Sequence, residues 1–216
     1  MKVREAYNSW AIQYDTNENK TRDLEAISLK STLENINVEC CLEIGCGTGK
    51  NTEWLISKAT KIIAIDFSEE MLAKAKSKIQ SEKVRFIQAD ITEEWGFIDN
   101  EKIDLATFSL VLEHIENLDC IFQKLSNILT DNGYVYIGEL HPFKQYNGTK
   151  ARFETENGVQ TVTCFNHNIS DFTNAAKKNG FQLIEVNEYF DNNDKTTIPR
   201  ILTLLLHKKS NSTGAV

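Results

Sequence analysis

The sequence predicts a doubly wound α/β fold, a mostly parallel seven-stranded sheet with helices on both faces. Two observations predict it. From residue 38 onward short apolar runs alternate with amphipathic helical patterns, and such βαβα alternation implies parallel strands covered by crossover helices. A turn carrying Gly45, Gly47 and Gly49 then separates the first apolar run from the helix after it, as at the ligand-binding edge of open α/β sheets.

Taken in order, residues 1–35 read as a helical cap with apolar positions at Leu24, Ile27, Leu29 and Leu33. Val38–Ile44 is the first strand, and Asn51–Ser57 begins a helix. Lys61–Ile65 is the second strand, followed by a helix capped by Ser68 with Glu69 and Glu70 in its first turn, as the helix dipole favours. Val84–Ala89 and Ile103–Ser109 are strands, Leu118–Leu129 a helix, and Gly133–Leu140 the fifth strand. Ile169–Lys178 is a helix closed by Gly180, and Phe181–Tyr189 and Ile198–His207 complete the sheet. The whole of 1–216 reads as one domain: a cap, a core over 36–140, an insertion over 141–168 and a closing unit over 169–208.

At 216 residues the chain has room for one full α/β core. Hydrophobic residues make up 41% and charged residues 25%, a globular and not a disordered balance. A formal net charge of −7 argues against a surface built to grip phosphate backbones, so a nucleic-acid partner is not expected. No apolar run approaches the ~20 residues needed to cross a bilayer, and the opening MKVREAYNSWAIQYD is not a signal peptide. The five cysteines, Cys40, Cys41, Cys46, Cys120 and Cys164, have no zinc-ligand spacing. They read as reduced thiols in a cytoplasmic protein.

The glycine turn excludes two familiar ligands. A dinucleotide loop needs a small residue where Lys50 stands. A P-loop needs glycine at Ile44 and Ser or Thr at Asn51. What Glu43-Ile44-Gly45-Cys46-Gly47-Thr48-Gly49 resembles is the first motif of the class I S-adenosylmethionine-dependent methyltransferases, an acid followed by GxGxG.

The resemblance covers residues 36–140 and implies the cofactor S-adenosylmethionine. It places Glu43, Gly45, Cys46, Gly47 and Gly49 at the cofactor. Asp66, at the end of the second strand, would take the ribose hydroxyls, with Phe67 and Met71 walling the adenine. Asp90 would meet the adenine amino group, with Ile91 on the ring and Ser109 at the methionine part. The segment WAIQYD and the EHI at residues 113–115 are similar to the small-molecule group that includes the quinone-biosynthesis methyltransferases, where Tyr14 would help close the pocket.

Methyl transfer is an in-line displacement in which positioning does much of the work. Where the acceptor must lose a proton, His114 and His141, just past the ends of the fourth and fifth strands, are the candidate bases. No short-spaced ligand pair accompanies them, so no metal is expected. Residues 141–167 suggest a hairpin around Asn157-Gly158, with strands over Arg152–Thr155 and Gln160–Phe165. In the family, insertions at this point cover the substrate, which makes Tyr146, Arg152 and His167 the outer candidates for a small-molecule acceptor. A protein or RNA methyltransferase and a catalytically silent cofactor-binding partner are the alternative readings.

Overall fold

The computed structural model describes residues 3–99, 101–155 and 158–210. Strands β1 (Val38–Ile44), β2 (Ala59–Asp66), β3 (Val84–Gln88), β4 (Ile103–Ser109), β5 (Leu129–Leu140), β8 (Phe181–Tyr189) and β9 (Ile201–Lys208) form one sheet in the order β3-β2-β1-β4-β5-β9-β8. The five strands from β3 to β5 pair in parallel, and β9 and β8 join antiparallel. A two-stranded sheet of β6 (Arg152–Thr155) and β7 (Gly158–Thr161) stands apart.

Helices cover both faces. On one lie α2 (Lys20–Thr32), α3 (Lys50–Leu55) and α4 (Glu69–Lys78), whose Leu29, Leu55 and Leu72 share a core cluster with Cys41 and Ile62. On the other lie α5 (Leu118–Ile128) and α7 (Ile169–Lys178), which pack Phe122, Leu125 and Phe172 against Leu42, Ile63 and Phe108. Cys40 and Cys41 therefore face opposite layers, as strand alternation requires. Helix starts follow capping chemistry: Ser68 accepts from the Met71 amide at 3.1 Å, and Asn168 with Asp171 closes a capping box on α7.

Several boundaries and one helix face differ from the sequence reading. β5 begins at Leu129, because Asn132 takes a left-handed turn (φ 66°) that bulges the strand and lets it resume opposite Leu105. β9 begins at Ile201, since Pro199 has no amide to give the ladder. α3 is shorter than expected, ending at Leu55. β7 ends at Thr161; beyond it the Phe165 amide bonds to the Glu113 carbonyl at 2.7 Å, tying the insertion to the end of β4. Asn157, in the expected turn, lies outside the described residues. Finally, α2 buries Leu29 as its apolar pattern predicts, but it also buries Glu25 and Ser28 and leaves Ile27 59% exposed.

Chain order reverses between β1 and β4, so a crevice opens at their carboxyl ends. α1 (Val3–Trp10) and the start of α2 cover it, and α1 packs on α4. Its floor depends on β1. Leu42 is fully buried at the centre of the sheet, so Leu42→Ala should cost about 2–5 kcal/mol. Urea unfolding with an unchanged m-value is the measurement, and a loss below ~1 kcal/mol would show that β1 does not carry the core.

Candidate functional site

The turn from β1 into α3 holds its ligand edge open by directing its amides inward. The Gly45 and Cys46 amides both donate to the Ile65 carbonyl, at 2.8 and 2.9 Å, and the Gly47 amide donates to Asp66 Oδ2 at 2.8 Å. These donors are spent on the neighbouring strand and not presented to a phosphate, and Lys50 turns outward to Asp23. Gly45 sits at φ 72°, and a Cβ there would fall 2.2 Å from Val111 Cγ2. A side chain at Gly45 is excluded on both counts.

A cavity opens beside this turn. Gly45 and Gly47 form one end, with Asp66, Phe67, Asp90 and Ile91 along one wall and Ser109, Val111 and His114 opposite. Asp66 accepts a backbone amide on each oxygen, from Gly47 and from Ser68 at 2.8 Å, which fixes the carboxylate at the cavity wall. Asp90 Oδ1 accepts from the amide and hydroxyl of Thr92, at 2.8 and 2.6 Å. Tyr7 and Tyr14 close the cavity from the amino-terminal side.

Behind the turn lies a pouch shared by Glu25, Glu43, Asn51 and Arg22. Asn51 Nδ2 donates to Glu25 at 3.0 Å and to Ser109 Oγ at 3.1 Å, and Thr52 Oγ1 donates to Glu43 at 2.5 Å. Arg22 lies 4.0 Å over the Tyr14 ring. Burial pushes the Glu25 carboxyl up to about 7 and that of Glu43 up to about 8, and burial also raises Asp66. Glu25 and Glu43 thus share the pouch with Arg22 and Lys50, while Asp66 lines the adjoining cavity, so carboxyls and cations together face the turn.

The comparisons with known proteins agree with this geometry. A methyltransferase-domain family model matches residues 42–137. An uncharacterized methyltransferase of Emericella nidulans is 24% identical over 230 residues, covering 85% of this chain and 77% of that protein. The ubiquinone biosynthesis O-methyltransferase of Pelagibacter ubique is 27% identical over 135 residues, covering 62% of this chain and 54% of that one. These matches liken the chain to the class I S-adenosylmethionine-dependent methyltransferases. The crystal structure of such an enzyme from Mesorhizobium loti shares the fold at a TM-score of 0.71 and 18% identity, over 86% of this chain and 98% of that one. The chain spans 77% of the length of one relative and 44% of another.

The residues present suit its cofactor, S-adenosylmethionine. That molecule carries a sulfonium and an ammonium but no pyrophosphate, matching a turn with spent amides and a pouch of raised carboxyls. Of the expected cofactor residues, Tyr14, Gly45, Gly47, Asp66, Phe67, Asp90, Ile91 and Ser109 line the cavity, and Glu43 and Cys46 line the pouch. Two do not reach either. Met71 is fully buried in a cluster with Ala6 and Trp10, because its position on α4 faces α1. Gly49 caps α3 and packs against Ile79 and Ala75.

At the reacting end, only one expected histidine arrives. His114 lines the cavity, with Nε2 2.8 Å from Tyr7 Oη and Nδ1 2.8 Å from the Thr163 carbonyl. His141 is fully buried elsewhere: its Nδ1 accepts the Phe143 amide at the start of the short helix α6 (Pro142–Tyr146), and its Nε2 meets Glu188 at 2.9 Å. Among the outer candidates, Arg152 lines a second cavity that adjoins the first through Tyr7, Tyr14 and Leu110. His167 is tied to the Ile115 carbonyl at 2.7 Å, and Tyr146 is exposed and bonded to Asn168, so neither reaches that space.

Tyr7, Arg22, Glu25 and Asn51 escaped the sequence reading. Tyr7, Trp10 and Tyr14 follow helical spacing and could have marked one aromatic face. Glu25 gave no signal, since a buried acid in a mixed helix looks like a solvated one.

Two predictions follow from the raised carboxyls. Folded Glu25 and Glu43 keep protons that the unfolded chain, near 4.5, has already released. Stability should therefore fall as pH rises from about 4.5 towards 7 and 8, by at most about 1.4 kcal/mol per unit for each group. Urea unfolding across that range should show a slope that Glu25→Gln makes shallower; a slope identical in both proteins would contradict the assignment. A cation bound in the pouch favours the ionised forms, so S-adenosylmethionine affinity should rise through pH 7 to 8 with net proton release. Calorimetry in two buffers of different ionisation enthalpy reads this directly, and no proton release would count against it.

Proposed function

We propose that this methyltransferase transfers the methyl group of S-adenosylmethionine to a small-molecule nucleophile, releasing S-adenosylhomocysteine. The observation that supports the reading is the second cavity, a partly open space between α1, the start of α2 and residues 149–152 that shares Tyr7, Tyr14 and Leu110 with the cofactor cavity. An acceptor bound there lies beside the first cavity and is covered by the chain itself. The net charge of −7 favours this over a polyanionic partner, and the relative in ubiquinone biosynthesis is an O-methyltransferase. All five cysteines are unpaired, in keeping with a reducing, cytoplasmic setting. No helix among the described residues is long and apolar enough to cross a membrane.

S-adenosylmethionine supplies an electrophilic methyl on a cationic sulfur. Asp66 would accept from the ribose hydroxyls with the lone pairs its two amides leave free, and Asp90 would meet the adenine edge between Phe67 and Ile91. Glu25, Glu43 and Asn51 would face the methionine ammonium, with Arg22 beside its carboxylate. His114 would stand at the acceptor end. Residues 141–168 would cover the acceptor through Arg152, with the family's methyltransferase activity resting on alignment of acceptor and methyl.

Hydrogen bonds to charged groups are worth about 1.5–3 kcal/mol, so Asp66→Ala should weaken S-adenosylmethionine binding roughly 10- to 100-fold. Calorimetry on the folded variant checks this, and unchanged affinity would remove Asp66 from the site. The substrate class is tested by S-adenosylhomocysteine release against small molecules, RNA and protein extracts. Release confined to macromolecules would overturn the small-molecule reading.

A further inference from the structure

The junction of the two cavities carries a proton-transfer pair with a fixed direction. The Thr163 carbonyl can only accept, so His114 Nδ1, 2.8 Å away, holds the ring proton. His114 Nε2 is then a lone-pair acceptor, and Tyr7 Oη, 2.8 Å away, donates to it. Burial keeps Tyr7 well above its usual value, so it remains an O–H donor at neutral pH. Tyr7 lines both cavities, whereas His114 lines only the first. The group an acceptor meets is the tyrosine, with the histidine behind it. Glu113 is buried next to His114, with its Oε2 unpartnered among the described residues.

The second cavity is polarised. Glu113, which is buried, lines it. Lys150 and Arg152 line it too, exposed and without an ion pair among the described residues. Arg200, by contrast, is committed to Asp191 at 2.5 and 2.6 Å. Tyr7, Trp10 and Tyr14 form an aromatic wall, the last two packed edge to face at 5.0 Å between ring centres. Such a space orients a molecule with an anionic group at one end and a neutral, proton-bearing nucleophile at the other.

Resting on the methyltransferase reading above, we propose that the acceptor is a hydroxy acid, methylated on its hydroxyl oxygen, with Tyr7 and His114 removing the hydroxyl proton and Arg152 and Lys150 holding the acid group. In the step, the acceptor O–H bond breaks and its proton passes to Tyr7 Oη as Tyr7's own proton moves to His114 Nε2. The freed electron pair forms the new O–C bond, and the electrons of the S–C bond remain on the departing thioether sulfur. The imidazolium so formed is held by the Thr163 carbonyl and faces the Glu113 carboxyl.

The test is S-adenosylhomocysteine release with a panel of aromatic and aliphatic hydroxy acids, their methyl esters, and matched amino acids lacking a hydroxyl. Release with at least one hydroxy acid, about tenfold or more above its ester and amino counterpart, is expected. Binding of S-adenosylmethionine with release only from esters or amines, or from none of the panel, overturns the acceptor assignment. Absence of S-adenosylmethionine binding would instead overturn the underlying reading. With the active hydroxy acid, Tyr7→Phe should lower kcat by about 10²–10⁴-fold, leaving KM and cofactor affinity within about threefold. A nitro-substituted hydroxy acid, already ionised at neutral pH, should restore most of that loss, which a merely structural tyrosine would not allow. Arg152→Ala should raise KM about 10-fold or more with kcat near normal. Unchanged kcat in Tyr7→Phe would refute the proton path.

Discussion

The burial of hydrogen-bonded carboxyl groups behind the carboxyl ends of the parallel strands is the constraint on which the rest of the structure depends. Glu43 and Glu139 are interior residues of β1 and β5, and Glu25 comes from the face of α2 turned to the sheet. Burial raises all three, Glu25 to about 7 and the other two to about 8, with the neighbouring Glu113 adding to the shift of Glu139. Burying a charge without a partner is costly, and such groups neutralise instead. Of the three, Glu25 and Glu43 line the pouch behind the glycine turn, whereas Glu139 is enclosed by backbone amides.

The same groups organise the backbone around them. Glu139 Oε1 accepts the Val111 and Leu112 amides at 2.9 and 2.7 Å, fixing the turn that carries Glu113 and His114. Glu25 accepts from Tyr136 at 3.1 Å and from Asn51 at 3.0 Å, so α2, β5 and the start of α3 meet at one carboxyl. Gly138 makes room for this: a Cβ there would lie 2.4 Å from Tyr136 Oη and 2.6 Å from Glu25 Oε1. Leu110 holds a left-handed conformation (φ 58°) at the end of β4 and borders both cavities and the pouch. Strain at a non-glycine residue in such a place is what a closely determined site tolerates.

The amino-terminal cap and the insertion complete the site from opposite ends of the chain. α1 brings Tyr7 to His114, and the insertion brings the Thr163 carbonyl to the other ring nitrogen. The imidazole is thereby held between segments 107 and 49 residues away. Within the cap, Arg22 donates to the Tyr14 and Asn17 carbonyls and so fixes the turn into α2. The two adjoining cavities thus draw their walls from both the cap and the insertion.

Local chemistry was sufficient to write down the sheet, the glycine turn and the strand-end acids. Strand alternation, capping residues and the acid-GxGxG motif are properties of neighbouring residues, and Asp66 and Asp90 follow from where strands end. Side-chain direction at long range was a different matter. His114 and His141 looked equivalent because both follow neighbouring strands, yet one faces the crevice and the other turns under α6 to Glu188. Met71 carried the right spacing and the wrong face. Tyr7, Glu25 and the Thr163 carbonyl acquire their roles only from partners 107, 111 and 49 residues distant. The sequence by itself determined the fold class and the strand-end acids, because these depend on local periodicity and spacing, and the resemblance of its glycine motif implied the cofactor. The tertiary structure alone decided which groups meet at the reacting end, because a hydrogen bond between distant segments depends on how the helices pack on the sheet.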